Sequence, residues 1–99
     1  MQIWNIVIKA PMGDIRATLT LRMSDGVVEG EMSGKGGDGP MLDLVLEEDA
    51  MKWSTKIERP MPMTLKFAGK IAGDTLSGKV RFGVFASGSF EGERLKDVA

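Results

Sequence analysis

The chain has 99 residues, enough for one hydrophobic core and too few for two, and its 13 Lys and Arg against 14 Asp and Glu leave a formal charge of −1. The two signs are interspersed along the sequence, so no long-range field invites a polyanion, and neither nucleic acid nor membrane is an expected partner. Cysteine and histidine are both absent, which excludes a disulfide framework and thiol chemistry and removes the commonest metal ligand and general base; no metal or cofactor is expected.

The opening MQIWNIVIKA sets Trp4, Ile6 and Ile8 at every second position, the pattern of a half-buried strand. Its apolar part is too short for a secretory core, no run approaches a membrane span, and a cytoplasmic location is expected. PMGD follows. A turn on Met12 and Gly13 would pair Ile8 with Ala17, Ile6 with Leu19 and Trp4 with Leu21. Alternation resumes over Ile15, Ala17, Leu19, Leu21 and Met23 until SDG, where a turn on Asp25 and Gly26 pairs Met23 with Val28, Leu21 with Gly30 and Leu19 with Met32. On the other face of that hairpin Arg22 meets Glu29.

GKGGDG, residues 34–39, matches the spacing of a dinucleotide fingerprint. That motif works only where a strand leads into a helix, and here Pro40 and another strand follow, so a loop at a barrel mouth is expected instead. Leu42, Leu44 and Leu46 then alternate up to LEEDA, a turn that would pair Leu46 with Met51 and Leu44 with Trp53. Met51, Trp53, Thr55 and Ile57 form the next inner row, and ERPMP breaks it.

The stretch LKFAGKIAGDTLSGKVRFG, residues 65–83, places a glycine at 69, 73, 78 and 83. With Gly73 and Asp74 at the centre of a tight turn, Ile71 faces Leu76, Phe67 faces Val80 and Leu65 faces Phe82. Lys66, Lys70, Lys79 and Arg81 fall on the opposite face, and Gly69 falls opposite Gly78. Inward glycines let strands of a narrow barrel coil sharply, or they leave a void for a ligand.

Residues 1–99 therefore read as one domain: an all-β, small antiparallel up-and-down β-barrel of about eight strands, calycin-like in architecture. About three inward positions per strand give about 24 in all, which the alternating apolar residues fill. The expected function is binding of a small apolar or aromatic molecule inside the barrel. Trp4, Leu19, Met32, Leu44, Met51, Trp53, Thr55, Phe67, Phe82 and Phe90 would line the site, with Gly69 and Gly78 giving room. Eight methionines suit either an adaptable pocket or irregular core gaps.

No catalytic constellation is visible. Asp14, Asp38, Glu48, Asp49 and Asp74 sit in turns, Asn5 is on the opposite face from Trp4, and Thr55 is the one clear inward hydroxyl. The rival expectations are a structural or protein-interaction module with a filled core, homodimeric through Ile3, Val7, Val84 and Phe85, and a cavity enzyme of cyclase or isomerase type.

Trp4, Pro11-Met12-Gly13, Asp25-Gly26, Trp53, Pro60-Met61-Pro62-Met63, Phe67-x-Gly69-Lys70-x-x-Gly73-Asp74, Gly78, Val80, Gly83, Phe85, Phe90, Gly92 and Arg94 together resemble a small bacterial β-barrel family of unassigned function. The later part is also similar to strand-repeat modules attached to some bacterial hydrolases. The resemblance implies a lipocalin-like or streptavidin-like meander and no catalytic residue. Ala86 stands where the pattern would place another glycine.

Overall fold

The computed structural model describes residues 1–11, 13–34, 37–58, 61–84 and 86–97. Nine strands and no helix are found among them: β1 (Gln2–Ala10), β2 (Gly13–Ser24), β3 (Val27–Gly34), β4 (Gly39–Pro40), β5 (Leu42–Leu46), β6 (Ala50–Ile57), β7 (Met63–Ala72), β8 (Thr75–Phe82) and β9 (Ala86–Asp97). No helix there is long and apolar enough to cross a membrane. All pairings are antiparallel, in the order β4-β3-β2-β1-β9-β8-β7-β6-β5. The first and last long strands are neighbours, so the meander wraps into a nearly closed barrel.

The two ends of the sheet, β4 and β5, are separated only by Met41 and act as one interrupted strand. The interruption has a sequence cause. Pro40 has no N–H to give the ladder, and Asp43 takes a left-handed φ of 52° that an aspartate tolerates. Met41 N–H donates to the Gly30 carbonyl at 2.8 Å, holding the seam to β3. The same bulge shifts the β5–β6 register between Leu42 and Val45. Leu46 faces Met51 as expected, but the expected pair of Leu44 with Trp53 is lost to the bulge.

Turn chemistry places the other hairpins. Asp25 and Gly26 both have positive φ, 51° and 79°, and the pairs Met23–Val28, Leu21–Gly30 and Leu19–Met32 form. Gly73, at φ 62°, closes the β7–β8 hairpin in its expected register, with Gly69 opposite Gly78. The first hairpin differs by two residues: Ile8 faces Ile15, Ile6 faces Ala17 and Trp4 faces Leu19. A turn on residues 12 and 13 would have made Pro11 a ladder partner that cannot donate; instead Ala10 meets Gly13, and Met12 lies outside the described residues. A slip of two keeps every side chain on its expected face.

Buried side chains come from the inner positions of all the long strands, with Trp4, Ile8, Leu19, Met51 and Val80 at 0% exposure. Met23, expected inside, is 68% exposed. β1 ends its pairing with β2 at Gln2 opposite Leu21, so the β2–β3 tip overhangs the rim with a neighbour on one side only. At the same end Arg94 ties β9 to the β7–β8 hairpin. Its Nε lies 2.9 Å from Asp74 Oδ1, its Nη2 donates to the Gly73 carbonyl at 3.0 Å, and its guanidinium sits 5.1 Å over the Trp4 ring.

Candidate functional site

The barrel wall brings the expected lining residues together. Trp4, Leu19, Met32, Met51, Trp53, Thr55, Phe67, Gly69, Phe82 and Phe90 are buried, and Leu44 and Gly78 are partly so. They meet as a packed core. Trp53 stacks on Phe67 at 4.4 Å between ring centroids, and the edge of Phe90 meets both rings at 5.5 and 5.2 Å. The expectation that Gly69 and Gly78 give room is corrected by the same geometry. A Cβ on Gly69 would lie 2.8 Å from Phe90 Cζ and 3.0 Å from Leu76 Cδ1. On Gly78 it would collide with the Ala68 carbonyl oxygen and stand 2.5 Å from Gly69 Cα. Phe90 occupies the space beside one glycine, and the close approach of two backbones consumes the other.

Among the described residues Thr55 is the single buried polar residue, and its hydroxyl donates to the Pro40 carbonyl at 3.4 Å. One buried donor stands apart: Trp53 Nε1, in a side chain 2% exposed, has no hydrogen-bond partner. Trp4 Nε1, by contrast, donates to Gln2 Oε1 at 3.2 Å.

The outside of the barrel is where the strands impose an order that the linear sequence hides. β6, β7 and β8 are adjacent and contain no Asp or Glu, yet they turn Lys52, Lys56, Lys66, Lys70, Lys79 and Arg81 to solvent. All 14 acidic residues lie elsewhere in the chain. Register gathers the cations around a small residue: exposed Ala68 faces Lys52 on one side and Lys79 on the other, with Lys66 and Lys70 two positions away along its own strand. Lys66 stands directly opposite Arg81, a like-charge pairing that costs stability. Among the described residues none of the six joins an ion pair. Lys66, Ala68, Lys79, Arg81, Val84 and Ser87 line an open groove of about 580 Å³ on this face.

Three of the four residues expected to form a homodimer patch are among the described residues, and Ile3 and Val84 lie far apart. Ile3 and Val7 are half-buried on the outer side of β1. Ile3 pairs with Lys96, whereas Val84 precedes the start of β9 ten residues away along that strand, about 33 Å. Phe85 lies outside the described residues. Between β3 and β4, Gly37 N–H bonds to the Gly34 carbonyl at 3.1 Å and Gly34 N–H to Asp38 Oδ1 at 3.3 Å, and β4 follows rather than a helix. Among the described residues no helix follows the fingerprint spacing to hold a pyrophosphate; residues 35 and 36 lie outside them.

Comparisons with protein-family models, with curated proteins and with solved structures found no match.

Proposed function

We propose that this protein is a binding module whose barrel is a rigid, filled scaffold and whose working surface is the outer cationic face of β6–β8. The segregation of charge carries the reading: six cations share three adjacent strands with no acid among them, at the expense of a like-charge pair. Side chains that only needed solvation would be as well served with the signs mixed, as they are on β2 and β3. The interior supports the same reading, because aromatic rings and backbone take up the space that a ligand would use. A cavity enzyme of cyclase or isomerase type would need an acid or base inside, and the described interior offers only Thr55.

Cation-exchange chromatography tests this. At pH 7 the formal charge is −1, so retention on a negatively charged matrix requires a patch rather than net charge. The wild type should be retained and Lys66→Glu/Lys79→Glu should flow through. Equal elution of the two would leave the face without a function. A homodimer through Ile3 and Val7 is read from the elution volume in a parallel sizing run, where Val7→Lys would convert dimer to monomer.

A second reading is favoured by one observation. The unpartnered indole N–H of Trp53 would be satisfied by an acceptor on a small, otherwise apolar molecule held within the barrel. This is the lipocalin-like mode, and it requires the core to open. Native mass spectrometry of gently purified protein tests it: added mass that disappears on denaturation supports it, and a bare polypeptide mass removes it. A cytoplasmic location remains part of the proposal, and cell fractionation with a specific antibody would check it.

A further inference from the structure

The partner chemistry of the cationic face can be narrowed further, on the footing that this face is the working surface. We infer that it docks on an anionic membrane surface, with the turn at Val84 entering the lipid interface. Three observations lead there.

The first is what the face lacks. Outward positions on β6–β8 are occupied by Lys, Arg, Ser, Thr and Ala alone. A surface that binds single-stranded nucleic acid presents aromatic rings to stack bases, and one that reads a duplex presents an element able to enter a groove. Neither is here. The second is breadth. Cations spread over three strands, each with its head in water and no internal acid to occupy it, match a lattice of headgroup phosphates better than a single small anion.

The third is the apolar tip beside the cations. Val84 is 91% exposed and belongs to the same groove as Lys66, Lys79 and Arg81. Gly83 N–H donates to the Thr64 carbonyl at 3.0 Å, which holds this turn against the start of β7. Met61, 47% exposed, lies two residues before that strand. Exposed aliphatic side chains at a strand-end turn, collared by lysine and arginine, combine the two contacts that peripheral binding requires: electrostatic capture by headgroups and shallow burial of apolar atoms. Anionic lipid on a cytoplasmic leaflet would supply the complementary charge. The even net charge pointed away from membranes because the fold, not the composition, sorts the signs.

Vesicle flotation is the test, using phosphatidylcholine alone and phosphatidylcholine mixed with phosphatidylglycerol, each at low and high salt. The wild type should float with the mixed vesicles at low salt, stay behind with the neutral ones, and dissociate as salt rises. Lys66→Glu/Lys79→Glu should weaken binding at least about tenfold. Val84→Ser should weaken it while leaving cation-exchange retention unchanged, and Arg16→Glu, on the outer side of β2, should change nothing. Retention on the exchanger without flotation would overturn the membrane inference and leave the cationic-face reading standing. Preference for duplex DNA over the mixed vesicles would do the same. Loss of both retention and flotation would overturn the two together.

Discussion

Replacing Gly69 by alanine separates a filled barrel from an open one by the sign of its effect. In a strand interior with room to spare, alanine is favoured over glycine by about 0.5–1 kcal/mol, because glycine loses more backbone freedom on folding. Here the new methyl would meet Phe90 Cζ at 2.8 Å, Leu76 Cδ1 at 3.0 Å and the Ser77 carbonyl oxygen at 3.1 Å. Phe90 cannot swing aside freely, because its edge is set against both Trp53 and Phe67. Ser77 O belongs to the paired strand and moves only with its ladder. Overpacking of this kind costs about 1–3 kcal/mol, outweighing the backbone gain. Each kcal/mol lowers the midpoint of a domain this size by about 4–8 °C. Urea and thermal unfolding of Gly69→Ala would show it, and Phe90→Leu in the same chain should recover part of the loss, since the two positions share one space. A Gly69→Ala protein as stable as the wild type, or more so, would refute the filled interior.

Lys66→Glu should raise stability by up to about 1 kcal/mol, turning a repulsive cross-strand pair with Arg81 into an attractive one, while weakening any anionic partner; unfolding and binding measured on the same preparation check both signs. Arg94→Ala should cost about 1–2 kcal/mol in urea unfolding, most of it from the uncovered Trp4 ring and the lost Gly73 carbonyl bond. Asp74 is 76% exposed and its ion pair is screened. Trp53→Phe should destabilise less than Trp4→Phe, because the first removes a donor that has no partner and the second breaks a bond to Gln2 and a cation–π contact; paired denaturation curves decide it.

Local rules carried far in this chain because strand alternation and turn residues are short-range. Asp25-Gly26 and Gly73-Asp74 set two registers that the barrel keeps, and the inner face reads directly from period two. The departures come from a proline constraint and from a backbone conformation that alternation does not encode. Pro11 moved the first turn by denying a donor to the ladder, and Asp43 broke the β5–β6 pairing through a backbone conformation that nothing in LDLVL announces. The cationic face was half legible: Lys66, Lys70, Lys79 and Arg81 follow from one hairpin. Lys52 and Lys56 join them only once β6 is paired with β7. Whether the glycines opened a void depended on Phe90, which arrives beside Gly69 from β9, twenty-one residues further along the chain.

The most direct test of an outward-working barrel is an amide and indole NMR titration with anionic bicelles. The indole N–H signals of Trp4 and Trp53 report from inside the barrel, and the amides of Lys66, Ala68, Lys79 and Arg81 report from beneath the face. The β7 and β8 amides and the Val84 amide should shift with added lipid while the Trp53 indole stays in place. Movement of the Trp53 indole with the β7 and β8 amides unchanged would contradict this and put the site within the barrel.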